Sequence, residues 1–297
     1  MKNIIRFLMF LMMLASFSSF ARSQTATPVD ISIDRTGVLL KGKFHVAEGT
    51  GFLPTVLLLQ GFPGNETDVL GVGKILSESG INTMTFNYSG TFKSQGSTSL
   101  ENSLLDIKAA FDFLNNSENI KRFKIDTTAI FLGGYSYGGG MALTYSIMHP
   151  GIKNVFSIAG VDWGEYYLEY IRNPEFKKTT DASMTKMASM TEQIRFEKGA
   201  MPDEITRGGI VHLDSAYFLQ KSSKTLALKD ILIICGWDDP MATIDKYILP
   251  LYRALRKEKA QSVQINAFQD GHNFSKSRAE LAMVVAKWIK TVPERKK

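Results

Sequence analysis

The stretch Ile130-Phe131-Leu132-Gly133-Gly134-Tyr135-Ser136-Tyr137-Gly138-Gly139-Gly140 decides how the rest of the chain is read. A short apolar run ends in Gly134-x-Ser136-x-Gly138, and a helix-like segment from Met141 to His149 follows at once. Strand, tight turn and helix in immediate succession put Ser136 at the tip of the turn. Glycines on either side leave room for neighbouring backbone, and the turn forces the serine into a strained conformation that exposes its hydroxyl. Alone, the pentapeptide is equally a glycine-rich turn with a solvated serine, so its meaning depends on what surrounds it.

Working outward, apolar runs and helical stripes alternate. Val29 to Ile33 and Val38 to Val46 alternate in polarity around Arg35-Thr36-Gly37 and predict an antiparallel edge hairpin. Val56 to Leu59 is apolar on consecutive positions, as a strand buried on both faces must be. A loop through Gln60-Gly61-Phe62-Pro63-Gly64-Asn65 and a helix from Asp68 to Ser79 follow, and the unit repeats with strand Ile81 to Phe86 and a helix from about Ser99 to Asn115. In that helix Leu100, Leu104, Ile107, Phe111 and Leu114 form one stripe, and Thr98-x-x-Glu101 suggests a capping box. Strands Thr128 to Gly133, Val155 to Ala159, Ile231 to Cys235 and Ser262 to Ala267 complete the pattern, with helices Ile244 to Glu258 and Lys276 to Lys290. Such alternation with short connections predicts an α/β chain built of right-handed βαβ units, its mostly parallel central sheet flanked by helices.

The alternation breaks at Val161. From there to about Lys224 no apolar strand run occurs, and Met184, Met187, Met190 and Ile194 fall at helical spacing. A stretch of this length inside a compact α/β domain predicts a helical cap, about 161–224, inserted after the sixth strand. Its methionines would form an adaptable apolar ceiling over a substrate or make ordinary contacts between cap and body.

Composition narrows the class. The chain has 297 residues, 44% of them hydrophobic, enough for a substantial core. At its start Lys2 and Arg6 precede the apolar run Phe7 to Ala15, and Ala21-Arg22-Ser23 offers the small residues a signal peptidase reads. Residues 1–23 are therefore expected to be a cleaved signal peptide, with 24–297 the mature domain in a secreted or periplasmic protein. An uncleaved anchor is the alternative, but the run is short for a bilayer and Ser16, Ser18 and Ser19 interrupt its end. Losing Lys2, Arg6 and Arg22 from the 35 basic residues leaves 32 against 29 acidic ones, a net charge of +3. That balance calls for neither nucleic acid nor an anionic membrane as partner, and the end from Glu294 to Lys297 reads as a solvated tail. The single Cys235 lies inside an apolar run and reads as a small buried hydrophobe, with no intrachain disulfide open to it.

In an open parallel sheet, chemistry gathers at the carboxyl ends of the strands. Three candidates stand there in chain order: Ser136, then Asp238 or Asp239 after Cys235-Gly236-Trp237, then His272 in Asp270-Gly271-His272-Asn273-Phe274. With these motifs in that order, the chain resembles the α/β-hydrolase fold family over nearly all of its mature length. The resemblance implies Ser136 as nucleophile, His272 as general base and an aspartate holding the imidazole. Asp239, three residues after Gly236 and before Pro240, fits the family spacing better than Asp238. Asp162, after strand Val155 to Ala159, is a third possibility whose plainer reading is a polar turn residue. The oxyanion hole is implied at the backbone N–H groups of Phe62 and Tyr137, although many family members carry His-Gly where this chain has Gln60-Gly61. His45, His149 and His212 read as structural or solvated, His212 being the one able to reach a substrate.

The resemblance implies a serine hydrolase, read first as an esterase acting on a small-molecule acyl ester. The elbow with tyrosine after serine also resembles that of prolyl-oligopeptidase-type peptidases, so a short peptide is the second substrate class. Those enzymes carry a propeller domain that the residues ahead of Val56 are too few to build. No metal-ligand spacing, phosphate-cradling loop or dinucleotide fingerprint is found, so no cofactor is expected; Gly71-Val72-Gly73 is read as lying inside a helix. A non-catalytic binding protein on the same scaffold is the reading from another class. Retention of Ser136, Asp239 and His272 argues against it.

Overall fold

The computed structural model of the protein describes residues 27–65, 67–196 and 214–292. The expected signal peptide, His212 and the basic C-terminal tail lie outside them. Eight strands form one sheet: β1 (Val29–Arg35), β2 (Val38–His45), β3 (Leu53–Leu59), β4 (Asn82–Phe86), β5 (Ile125–Tyr135), β6 (Asn154–Ile158), β7 (Asp230–Gly236) and β8 (Val263–Phe268). Their spatial order is β1-β2-β4-β3-β5-β6-β7-β8. The β1–β2 and β2–β4 pairs are antiparallel and every later pair is parallel, so the hairpin caps one edge of a parallel sheet as its alternating residues require.

Nine helices of the α type are described along with the sheet: α1 (Val72–Glu78), α2 (Leu100–Asn115), α3 (Ser117–Phe123), α4 (Tyr137–Met148), α5 (Trp163–Arg172), α6 (Pro174–Ala188), α7 (Ser223–Leu226), α8 (Leu249–Lys257) and α9 (Arg278–Thr291). The consecutive apolar residues Val56 to Leu59 and Ile231 to Ile234 are all buried. Each such side chain contributes roughly 1.5–3 kcal/mol by leaving water, which fixes β3 and β7 in the interior of the sheet. Trp288 of α9 packs edge-on against Phe131 of β5 and Phe156 of β6, with ring centroids 5.7 and 6.1 Å apart. Cys235 is buried and unpaired as expected, and burial pushes its thiol up to about 11, which makes it a poor nucleophile.

Several local expectations are corrected. The helix expected from Asp68 begins only at Val72, because Leu70 and Gly71 adopt left-handed φ values of 56° and 80°. Gly71 is therefore the residue before that helix, outside it. Asp68 instead receives the N–H groups of Gly73 and Lys74 at 2.7 and 3.0 Å, satisfying the first turn from a distance. The cap of α2 is Ser99, whose hydroxyl accepts from Asn102 N–H at 3.0 Å, while Thr98 donates its N–H to the Arg195 carbonyl. A short helix, α3, fills the region between α2 and β5 that periodicity left empty; at seven residues it is too short to show a stripe. The helix after Ser136 starts at Tyr137, four residues earlier than its apolar residues suggest, because three glycines occupy its first turn. The helix expected from Ile244 opens as a π-helical turn, Ile244–Ile248, before α8.

After β6 the chain forms α5 and α6, and Ile194 and Phe196 then bridge to Thr91 and Thr98. Residues 197–213 of the expected cap fall outside the described residues, and the chain resumes with a 3-10 turn, Ser215–Tyr217, and α7.

Candidate functional site

Ser136, between β5 and α4, has φ 53° and ψ −116°, a conformation that a residue with a β-carbon adopts at a cost of order 1–3 kcal/mol. Crowding on both sides explains why the flanking positions are glycine. A β-carbon on Gly134 would lie 2.3 Å from the Gly138 backbone, and one on Gly138 would lie 2.5 Å from the Leu59 and Gln60 carbonyl oxygens. Strand β3, the Ser136 turn and α4 thus meet backbone to backbone. The Ser136 N–H donates to the Ile158 carbonyl at 2.8 Å, extending the β5–β6 ladder to the serine itself.

His272 lies on the loop between β8 and α9. Its Nε2 is 2.9 Å from Ser136 Oγ and its Nδ1 is 2.8 Å from Asp239 Oδ2. With Nδ1–H donating to the carboxylate, Nε2 is left to accept the serine proton. Asp239 is fully buried at its side chain and His272 is 13% exposed. Burial alone would raise the Asp239 carboxyl, but the bond to His272 and the N–H groups of Ala242 and Met241 hold it below the ordinary carboxylate value. Those two N–H groups reach its Oδ1 at 2.9 and 2.8 Å, so both oxygens are committed and the carboxylate cannot rotate away.

The structure separates the three aspartates that the sequence left as alternatives. Asp238 is exposed and accepts from Gln269 Nε2 at 3.1 Å. Asp162 caps α5, accepting from Glu165 N–H at 3.1 Å and Gln220 N–H at 3.2 Å, and burial pushes it up to about 6. Only Asp239 meets His272. His45 is buried against the Thr67 carbonyl at 3.0 Å, and His149 stacks on Tyr145 with centroids 3.9 Å apart, so both take structural places.

The loops that bring Asp239 and His272 together carry further residues whose part no local pattern announces. Trp237 and Asp238 donate their N–H groups to Phe268 and Asp270, and a β-carbon on Gly236 would lie 2.4 Å from the Asp270 carbonyl oxygen. Asp270 organises the histidine loop. Its Oδ2 accepts from Lys276 N–H, Ser277 N–H and Ser277 Oγ at 2.8, 3.1 and 2.9 Å, and its Oδ1 accepts from Gly271 N–H at 2.9 Å. A sequence signal existed, since aspartate before glycine is a common turn former, but nothing in the order of residues tied it to helix α9.

A cavity of about 370 Å³ opens over Ser136 and His272. Val69, Leu70, Phe62 and Met241 give it an apolar side, while Gln60, Asn65, Asp68 and Asn273 give it a polar one. Phe62, expected as an oxyanion donor, lines this cavity, and its ring packs against that of Tyr137 at 5.4 Å. Tyr137 is the first residue of α4, whose N-terminal end faces the serine, where helix backbone favours negative charge. Gln60, in the place where histidine was noted as common, donates its amide to the Asn65 carbonyl and holds the loop from within. Met184, Met187 and Met190 are half-buried and are not among the residues lining the cavity. Among the described residues no cluster of His, Cys, Asp and Glu suits a metal ion.

A family model described as alpha/beta hydrolase fold matches residues 54–176, which span β3 through α5 and include Ser136. No curated protein sequence matches the chain. Among solved structures, Est1E from Butyrivibrio proteoclasticus with bound ferulic acid is similar over 88% of this chain and 98% of its own, with TM-score 0.61 and 17% identity. A Pyrococcus furiosus esterase is similar over 89% of this chain and 90% of its own, with TM-score 0.64 and 17% identity. Pyrococcus horikoshii acylaminoacyl peptidase is similar over 94% of this chain but only 44% of its own, with TM-score 0.62 and 15% identity. Strand order, the serine turn between β5 and α4, and the family model lead to one conclusion: this chain is a protein of the α/β-hydrolase fold.

Proposed function

We propose that the protein is an exported serine hydrolase that cleaves a carboxylic ester through an acyl-enzyme intermediate. The observation that carries this reading is His272 bridging Ser136 and Asp239 at 2.9 and 2.8 Å beneath an open cavity. In this reading Ser136 Oγ attacks the ester carbonyl carbon as its proton passes to His272 Nε2, and the carbonyl π electrons move onto oxygen. Backbone N–H groups of Phe62 and Tyr137 stabilise that oxyanion, a contribution on the order of 3–4 kcal/mol per donor in enzymes of this kind. Collapse of the intermediate expels the alcohol, which takes the proton from His272. A water molecule, deprotonated by the same nitrogen, then releases the acid and regenerates the serine. Asp239 keeps Nδ1 protonated throughout and offsets the imidazolium charge.

The substrate class is a small molecule. The cavity has an apolar side suited to an acyl or aryl group, and the similar Est1E structure holds ferulic acid. A short peptide amide is the second substrate class, favoured by Tyr137 after the serine and by the similarity to an acylaminoacyl peptidase. Helices α5 and α6, with the stretch that follows, are assigned as a cap that selects between them. Incubation with a fluorophosphonate tests the mechanism: labelling that is absent from the native protein, or that persists in Ser136→Ala, sinks it. A panel of p-nitrophenyl esters against short peptide p-nitroanilides then ranks ester against amide. Export has its own test, since the amino terminus of protein recovered outside the cytoplasm should begin near residue 24.

A further inference from the structure

Tyr135, the residue before the serine, does something the serine–histidine–aspartate chain does not account for. Its hydroxyl donates to Asn273 Oδ1 at 3.0 Å, and Asn273 is the residue directly after His272. Its ring lies against the His272 imidazole, with centroids 5.3 Å apart and planes tilted by 41°. The same ring abuts the loop below, since a β-carbon on Gly61 would lie 2.9 Å from it. Tyr135, Asn273 and Gly61 all line the cavity over the serine. One side chain therefore touches the β3 loop, the end of β5 and the histidine loop, three segments separated widely in sequence.

On its serine side the histidine loop is held by this bond together with the bonds of His272 to Ser136 and Asp239. Asp270 fixes its far side to α9, and Arg278 Nε donates to the Asn273 carbonyl at 3.1 Å, but both bonds draw the loop toward the helix. The bond from Tyr135 draws it toward the turn. Backbone at Ser136 is locked by β6 and α4, so a strut rooted one residue earlier has a rigid base.

We propose that Tyr135 is a positioning residue, a strut between the serine turn and the histidine loop that holds the His272 ring within reach of Ser136. This rests on the serine-hydrolase reading above. The phenol is a donor at every working pH, since burial, with the nearby Asp239 carboxylate adding, pushes it up to about 12. Removing one neutral hydrogen bond at a half-exposed position changes the preference for the aligned loop by roughly threefold to tenfold.

The test uses Tyr135→Phe and Tyr135→Leu, with Asn273→Ala as the partner change, in the full-length protein. Two measurements run side by side: the rate of fluorophosphonate labelling and amide hydrogen exchange of the segment 270–274. Tyr135→Phe is expected to slow labelling threefold to tenfold, with kcat for p-nitrophenyl acetate falling by the same factor while KM holds. Exchange in 270–274 should quicken, and Asn273→Ala should add nothing to Tyr135→Phe. Tyr135→Leu, which also loses the ring, should be slower still. Unchanged exchange in Tyr135→Phe overturns the strut, as does quicker exchange with an unchanged labelling rate, or additive effects of the two changes. Native protein that does not label at all rejects the serine-hydrolase reading first, and the exchange measurement then shows separately whether the tie between turn and loop exists.

Discussion

At Ser136 the chain is held by backbone against backbone, whereas α5 and α6 meet the body largely through side chains. Around the serine, a β-carbon added at Gly134 or Gly138 would sit within 2.5 Å of backbone atoms that cannot turn aside. Along α5 and α6 the ties are of another kind. Lys246 lies 3.3 Å from Glu169 and over the rings of Phe176 and Tyr247, while within the pair Tyr166 packs edge-on against Phe176 at 5.1 Å. Such contacts are individually weak and reform after small shifts. On the serine-hydrolase reading proposed above, the backbone-locked region is the one that holds Ser136 in reach of His272.

Four measurements test that contrast. The largest effect belongs to the fixed region: Asp239→Asn should lower turnover of p-nitrophenyl esters by about 10⁴-fold, the scale of losing the correct imidazole tautomer. Asp238→Asn should stay within a few-fold, because Asp238 faces solvent. Equal losses in the two variants would dissolve the distinction drawn from their positions. Next in size, Gly138→Ala should destabilise the fold by about 3 kcal/mol, the upper end for overpacking, since its neighbours are the Leu59 and Gln60 backbone. A urea midpoint within error of the native protein would show that the turn yields after all.

The third concerns Asp162, at the junction of the two regions. Its carboxyl is raised from an ordinary 3.8 to about 6 by burial, so the folded protein binds a proton more readily than the unfolded chain. Stability should therefore fall as pH rises from about 4 through 6, by up to roughly 3 kcal/mol, and stay low above that. Asp162→Asn keeps an acceptor for the Glu165 N–H and removes the titration, so its urea midpoint should lack that decline. A variant with the same pH dependence as the native protein would place the titrating group elsewhere. Smallest of all, Lys246→Ala should cost no more than about 1 kcal/mol, as expected of a partly exposed ion pair with two ring contacts. A much larger loss would mean that α5 and α6 are as rigidly fixed as the turn.

The sequence was most legible where a residue type had few alternatives. Four consecutive apolar residues at Val56 to Leu59 admit little besides an interior strand, and glycine on both sides of Ser136 has a packing cause that the structure exposes directly. It was less legible where long-range partners choose the outcome. Thr98 and Ser99 are equally good caps in isolation. Thr98 is drawn off because its N–H pairs with Arg195, nearly one hundred residues away, and Ser99 takes the cap. Helix α3 escaped because seven residues carry too little periodicity, although Asn116, accepting from Glu118 and Asn119, marks its start. The roles of Asp270, Asn273 and Tyr135 were out of reach, since each depends on a loop arriving from another strand.

By itself the sequence determined the α/β alternation, the edge hairpin, and which serine and histidine end their strands on the same side of the sheet. These follow from local burial and from the strict alternation of strand and helix. Tertiary structure added the geometry by which Asp239, the aspartate preferred on family spacing, and not Asp238 or Asp162, lies against His272, because adjacent residues on a turn point in different directions. It also decided that the histidine loop is tied to the serine turn through Tyr135. A hydrogen bond across 138 positions has no local signature and exists only once β5 and β8 have taken their places in the sheet.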